Sequence, residues 1–194
     1  MIAGLLLAAG RSRRFGADKL CAKLNGKAVI RWSAEALAGL DAVYVVIPPG
    51  ADAATRALSR LDARFVINLA RDEGMASSIR AGVAALPQDV QAVVIALADQ
   101  PLVSVQVIRQ LCERWGDGGA PAVVPAYRDG RGHPVLFARE CFEALGALRG
   151  DAGARSVLDA LGGRVALVGV HDTMPVDVDT ADALAALQGA TRMS

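Results

Sequence analysis

Apolar runs and helix-like segments alternate along the whole chain. Residues 2–8, 42–47 and 91–98 are nearly continuous stretches of alanine, valine, leucine and isoleucine. Such runs read as strands buried on both faces, not as half-exposed strands with alternating polarity. A shorter strand is expected at 64–67 and another at 164–170. Short strands at 122–125 and 134–137 flank a polar turn. Helical spacing predicts helices over 29–40, 53–61, 104–115, 138–148, 152–161 and 180–187. One more helix is expected to begin at an N-cap on Ser77 and run to 86.

Buried strands alternating with helices imply an α/β fold, a three-layer αβα arrangement around a mostly parallel, doubly wound sheet. No repeat, linker or low-complexity tract divides the chain, so residues 1–194 are read as one domain. In sheets of this kind the ligand crevice lies beyond the C-terminal strand ends, near a reversal of strand order. Residues that directly follow strands therefore carry most of the functional information.

Composition narrows the classes. Hydrophobic residues make up 53% of the chain and charged residues 21%, enough for a full core. Aromatics are only 4%, so the core must be aliphatic. Lysine and arginine number 21 against 20 acidic residues, which gives no electrostatic footprint for nucleic acid. The three cysteines, Cys21, Cys112 and Cys141, form no Cys-x-x-Cys pair, so neither a zinc site nor a disulfide framework is expected. The apolar start is shorter than the about 20 residues that span a bilayer and has no basic stretch before it. A cytoplasmic protein with no membrane partner is the expectation.

The first strand runs into Leu7-Ala8-Ala9-Gly10-Arg11-Ser12-Arg13-Arg14-Phe15-Gly16, then Lys19. Small residues let backbone approach a ligand closely, and backbone N–H groups followed by three arginines and a lysine form an anion cradle. Arginine forks match phosphate oxygens. The alternative is a solvated basic loop. Neither Gly-x-x-x-x-Gly-Lys-Ser/Thr nor Gly-x-Gly-x-x-Gly occurs here.

Two acidic segments follow strand-like runs. Asp99, in Asp99-Gln100-Pro101, stands directly after the 91–98 strand. It can hold Mg²⁺ beside a triphosphate, or simply cap the helix near Ser104. Val176-Asp177-Val178-Asp179-Thr180 precedes the last helix. If it is extended, alternation puts both of its carboxylates on one side. Asp179 or Thr180 can equally serve as a helix cap. Distant carboxylates together with a basic loop form a metal–phosphate constellation.

The Leu7-Ala8-Ala9-Gly10-x-Ser12-x-Arg14-Phe15-Gly16-x-x-Lys19-Leu20 loop resembles the signature of MobA-like nucleotidyltransferases, and most closely that of molybdenum cofactor cytidylyltransferases. The resemblance extends through nearly the whole chain. It implies a Rossmann-like nucleotidyltransferase fold and Mg²⁺ as cofactor. By it, Asp99 and Asp179 are metal ligands, with Asp177 as a further candidate. Arg14, Lys19 and Asp99 are catalytic, with Arg11 assisting. Leu7, Ala8, Ala9, Gly10, Arg11, Lys19, Asn68 and Ser78 bind the nucleotide. The Asn68-to-Ser78 stretch matches an Asn…Gly-x-x-x-Ser pattern but lacks the usual proline and tryptophan after the asparagine. Asp179-Thr180 is followed by Ala181-Asp182 where the family usually has proline and glutamate.

Gly132-His133-Pro134 and Gly150-Asp151-x-Gly153-Ala154-Arg155 resemble the family's acceptor segments, which assigns His133, Pro134, Asp151 and Arg155 to acceptor binding. Without the resemblance, Gly150-Asp151 reads as an ordinary helix stop and cap. His171 has no motif around it.

The resemblance implies transfer of CMP from CTP to molybdopterin, with release of pyrophosphate. The product, molybdopterin cytosine dinucleotide, would pass to a molybdenum enzyme. Ala9, where a Leu-Ala-Gly-Gly loop would carry glycine, favours CTP over GTP. Two alternatives stay open. One keeps nucleotidyl transfer with GTP, or with a sugar or alcohol phosphate acceptor. The other is a non-catalytic nucleotide-binding maturation factor.

Overall fold

The computed structural model describes residues 1–10, 18–151 and 153–191. Arg11 and Arg14 lie outside the described residues. Seven strands form the main path of one sheet: β1 (Ile2–Leu7), β4 (Ala42–Ile47), β5 (Arg64–Ile67), β6 (Ala92–Leu97), β7 (Ala122–Tyr127), β9 (Val135–Ala138) and β10 (Val165–Gly169). Their order is β10-β7-β9-β6-β1-β4-β5, and a short β8 (Gly130–Arg131) pairs with β7. β9 runs antiparallel to both β6 and β7, while the other pairs on the path are parallel. The expected mostly parallel, doubly wound sheet is present.

The topology places the crevice. From β1 the chain builds outward to β4 and β5, then returns to add β6 on the other side of β1. The strand order therefore reverses between β1 and β6. Their parallel register pairs Leu7 with Leu97, so the first loop and the Asp99 turn leave the sheet side by side.

Continuous apolar strands feed two cores, one on each face. Leu5, Val93 and Ile95 pack with Tyr44, Phe137 and Leu145 beneath α3 (Met75–Ala84), α5 (Phe142–Gly146) and α6 (Arg155–Leu161). Leu6, Val94 and Ala96 pack on the opposite face with Ile30, Leu58, Leu111 and Leu187. Those four come with α1 (Val29–Ala36), α2 (Asp52–Ala57), α4 (Val105–Gly118) and α7 (Ala181–Thr191), Leu58 capping its helix. α3 lies close on β1 because Gly82 lacks a side chain: a Cβ there would stand 2.5 Å from Leu5 Cδ1. The sheet can accept a helix that near only at glycine.

Several boundaries differ from the sequence expectation. The helix expected over 138–148 is a 3₁₀ turn, Arg139–Cys141, followed by the short α5. Ala138 is still the last residue of β9, with an extended ψ of 159° and its N–H donated to Pro121 O, so the helical turn starts only after it. α3 begins at Met75 and not at Ser77; the Ser77 hydroxyl donates back to the Gly74 carbonyl at 2.8 Å inside the first turn. Ser104 does cap α4, accepting from Gln106 N at 3.2 Å. A two-stranded hairpin, β2 (Lys23–Leu24) with β3 (Lys27–Ala28), was not expected. Its turn is Asn25-Gly26, with φ of +51° and +81°. Among the described residues no helix is long and apolar enough to cross a membrane.

Candidate active site

The turn after the first loop brings Lys19 to the switch point. The Ala22 N–H donates to Lys19 O at 3.3 Å, and Ile30 N–H to Leu20 O at 3.0 Å, tying this turn to the start of α1. The Lys19 ammonium then donates to Asp99 Oδ2 at 2.6 Å and to Asp179 Oδ1 at 2.8 Å. Two carboxylates, 80 and 160 positions along the chain from Lys19, thus share its one buried cation.

A backbone bond explains why the two acidic segments meet. Val178 N–H donates to the Asp99 carbonyl at 2.8 Å, and the Val178 side chain is fully buried. Asp179 N–H also donates to the Asp177 carbonyl at 3.0 Å, so the chain turns tightly at Val178 instead of running extended, and the flanking carboxylates of Asp177 and Asp179 stay outside the core. Asp179 reaches Lys19. Asp177 Oδ1 instead accepts from Gln100 Nε2 at 2.8 Å.

The electrostatics follow from this packing. Burial alone would lower the Lys19 pKa, but hydrogen bonds to Asp179 and Asp99 and their negative charge outweigh it, so the ammonium is held above its ordinary range. Partial burial pushes the Asp177 carboxyl up; the Gln100 N–H opposes the rise, and the charges of Asp99 and Asp179 add to it. His133 sits nearby, with Nδ1 3.5 Å from the Ile95 carbonyl. Burial pushes its imidazole below the usual value and outweighs that carbonyl and the charges of Asp177 and Asp99. The Tyr127 hydroxyl donates to the His133 carbonyl at 2.8 Å, and Pro134 is buried behind it.

A cleft of about 570 Å³ opens beside these groups. Leu7, Ala9 and Gly10 line it from the end of β1 and the residues after it, Leu97 and Asp99 from the end of β6 and the turn after it, and Gly74, Met75 and Ser78 from the N-cap and first turn of α3. Arg71, Asp72 and Asp151 complete it. Ala8 does not line it: its N–H donates to Val46 O at 2.8 Å and its side chain enters the core. Asn68 is buried beneath the wall. Its Nδ2 donates to Ser77 Oγ at 2.8 Å and Ser78 Oγ at 3.0 Å, while its Oδ1 accepts from Ala70 N at 2.9 Å. Asn68 therefore positions Ser78, which faces the cleft. Asp151 enters through the Gly150-Asp151 turn, where Ala76 N–H donates to Gly150 O at 3.1 Å. Gly74 has φ +92°, and a Cβ on it would meet Gly150 O at 2.6 Å. Arg155 is exposed on the first turn of α6, away from the cleft lining.

The donor chemistry suits a hard divalent ion. Lys19 marks a locus where two carboxylates already converge on positive charge. Among the described residues no three His, Cys, Asp or Glu side chains gather as a self-sufficient metal cage. Mg²⁺ typically takes one or two carboxylates and completes its shell with substrate phosphate and water, which fits Asp99 and Asp179. Sequence reasoning missed Gln100, Arg71, Asp72, Gly74 and Met75. Gln100 had one signal: an amide directly after an aspartate that ends a buried strand.

Similarity to known proteins agrees with this geometry. The chain is 28% identical to the purine catabolism protein PucB of Bacillus subtilis over 91% of each chain. It is 35% identical to the 2-C-methyl-D-erythritol 4-phosphate cytidylyltransferase of Streptomyces avermitilis, over 64% of this chain and 53% of that protein. The Rv0371c protein of Mycobacterium tuberculosis H37Rv, solved in complex with manganese, superposes with a TM-score of 0.79 and is 28% identical, covering 97% of this chain and 98% of that one. The model of the MobA-like NTP transferase domain matches residues 4–165. A switch-point cleft lined by Ala9-Gly10, two carboxylates on a shared cation and these likenesses converge: the chain belongs to the MobA-like NTP transferase family and is a nucleotidyltransferase.

Proposed function

We propose that residues 1–194 act as one domain that transfers CMP from CTP to the phosphate of molybdopterin, releasing pyrophosphate. The observation that carries the reading is the convergence of Lys19, Asp99 and Asp179 beside the Ala9-Gly10 cleft. Leu7, Ala9, Gly10 and Ser78 hold the nucleotide in the cleft, with Asn68 and Ala8 supporting from behind. Lys19 donates to the phosphates, and Arg14 and Arg11 add charge from the first loop. His133, Pro134, Asp151 and Arg155 receive the acceptor.

Asp99 and Asp179 hold Mg²⁺, and Asp177 stands beside them. The ion, when bound, offsets charge on the triphosphate oxygens. In the reaction an acceptor phosphate oxygen forms a bond to the α-phosphorus of CTP. The bond from that phosphorus to the bridging oxygen breaks, and pyrophosphate carries away the electron pair. No side chain becomes covalently attached, because positioning and charge supply most of the acceleration in such transfers. The manganese in the related mycobacterial structure supports the use of a divalent ion. The product dinucleotide would then pass to a molybdenum enzyme in the cytoplasm.

A second reading keeps the chemistry and changes the acceptor. The 35% identity to a methylerythritol phosphate cytidylyltransferase favours CTP while leaving other phosphorylated alcohols as acceptors. Pyrophosphate release distinguishes the readings. CTP and GTP are each offered with Mg²⁺ and either molybdopterin or methylerythritol phosphate. Turnover with CTP and molybdopterin supports the proposal. Turnover only with another pair moves the acceptor or the base, and nucleotide binding without any turnover leaves a non-catalytic module.

A further inference from the structure

Gln100 is buried, with 7% of its surface exposed. Its backbone is fixed on three sides. Its N–H donates to Leu97 O at 3.3 Å, its carbonyl accepts from Val103 N at 3.3 Å, and the Ser33 hydroxyl lies 3.1 Å from the same carbonyl. From this fixed base its Nε2 donates to Asp177 Oδ1 at 2.8 Å and approaches Pro175 O at 3.5 Å. Its Oε1 is buried and has no hydrogen-bond partner among the described residues.

That combination is informative. Reversing the amide would set Oε1 against two acceptors, so the orientation is determined. A buried carbonyl oxygen without a donor is costly, and burial alone would favour leucine. What favours glutamine is its pair of donor contacts. Both fall on residues 175–179, a segment without regular secondary structure between β10 and α7. This segment delivers Asp179 to Lys19 and Asp99, and its other anchor on the Asp99 turn is the single Val178 N–H bond. The buried Val178 side chain and its N–H bond hold one point of the segment, and the two Gln100 contacts, both on residues just before Val178, fix the direction from which the chain enters it.

The geometry points to Gln100 as a positioning residue that holds residues 175–179, through Asp177 Oδ1 and Pro175 O, so that Asp179 faces Asp99 across the cation. Asp177 then acts as the acceptor of the Gln100 N–H and not as a metal ligand. This inference rests on the reading that Asp99 and Asp179 bind the divalent ion.

The test is Mn²⁺ binding to the full chain in the presence of CTP, followed by electron paramagnetic resonance, beside CTP binding without metal. Gln100→Leu should weaken Mn²⁺ about 10- to 100-fold, the usual range for residues that orient ligands, and leave metal-free CTP binding unchanged. A merely structural role would weaken both. Asp177→Ala should match Gln100→Leu, and the double variant should be no weaker than either single one. Asp177→Asn keeps an oxygen for the Gln100 N–H and should bind Mn²⁺ as wild type does. Asp177 is exposed, so its variants keep the test decisive if Gln100→Leu folds poorly. Wild-type Mn²⁺ affinity in Gln100→Leu, or an Asp177→Asn loss as large as that of Asp177→Ala, overturns the inference. Asp99→Ala separates the two levels. If it binds Mn²⁺ as wild type does, the metal reading itself falls; if it loses Mn²⁺ while Gln100→Leu does not, only the role of Gln100 falls.

Discussion

Replacing Lys19 by methionine keeps an unbranched side chain of similar reach and removes only the charge. In the metal-free protein it removes the ammonium that Asp99 and Asp179 share. Removing one partner of a fully buried pair costs about 3–5 kcal/mol. Here the Asp99 side chain is 24% exposed and that of Asp179 37%, so water relieves part of the repulsion. A loss of about 1–3 kcal/mol is expected after that discount. For a chain of this length each kcal/mol moves Tm by about 2–4 °C, so a fall of roughly 4–8 °C is expected at the centre of the range. Divalent metal should then reverse the order. In wild type an incoming ion must displace the ammonium; in the variant it enters a site from which the ammonium is gone. Ligand at about 100 times its Kd adds about 2.7 kcal/mol, so Mn²⁺ should restore most of the lost Tm in the variant and raise wild type less. Thermal melts in EDTA and in excess Mn²⁺ make the comparison. Equal metal-induced shifts in the two proteins, or a variant as stable as wild type in EDTA, would refute the idea that Lys19 occupies the ion's locus. Turnover should still fall in the variant, mainly in kcat, because the ammonium meets charge that develops during transfer.

Other expectations follow from the same geometry. Asp99→Ala should cost about a thousandfold or more in turnover, equivalent to several kcal/mol of charge stabilisation, with the far-ultraviolet circular dichroism unchanged. Gly74→Ala forces a left-handed φ on alanine and sets its Cβ against Gly150 O. It should lose at least about 1–3 kcal/mol in urea unfolding and raise the KM for nucleotide, since Gly74 lines the cleft. Burial lowers the His133 pKa, so the unfolded chain binds that proton first as pH falls below the ordinary value near 6.5. The stability contributed by neutral His133 is complete above that value and is lost as pH falls through the folded pKa. His133→Asn should flatten the decline in urea midpoint between about pH 7 and about pH 5. A variant that keeps the same slope would assign the decline to other groups.

The strands were legible because they are buried on both faces: an uninterrupted apolar run such as Ala92–Leu97 has no polar position that could confuse its period. Strand order was not legible, since no local pattern records that β6 returns to lie beside β1. Helix starts failed where a strand ran further than its apolar pattern suggested, as at Ala138, which is still extended in β9. The β2–β3 hairpin had a readable signal in Asn25-Gly26, but strands of two residues give no periodicity to confirm it.

The same division runs through the site. Asp99 and Asp179 were visible because each follows a strand or extended run and precedes a helix, and chemistry at a sheet's C-terminal edge needs such positions. Their meeting on Lys19 depends on the β1–β6 register and on one backbone bond from Val178 to Asp99, neither of which a motif encodes. Asn68 shows the opposite case. A polar residue in a nucleotide-like motif reads as a ligand contact, yet its amide is fully engaged with Ser77, Ser78 and Ala70. A buried side chain of that kind shapes the wall, and the residue it holds, Ser78, is the one that faces the cleft. Gln100 extends the argument. It stands in the most readable motif of the chain and was passed over because an amide carries no charge to suggest catalysis. In a site assembled from distant carboxylates, the neutral donors that fix loop geometry determine whether the charges meet at all.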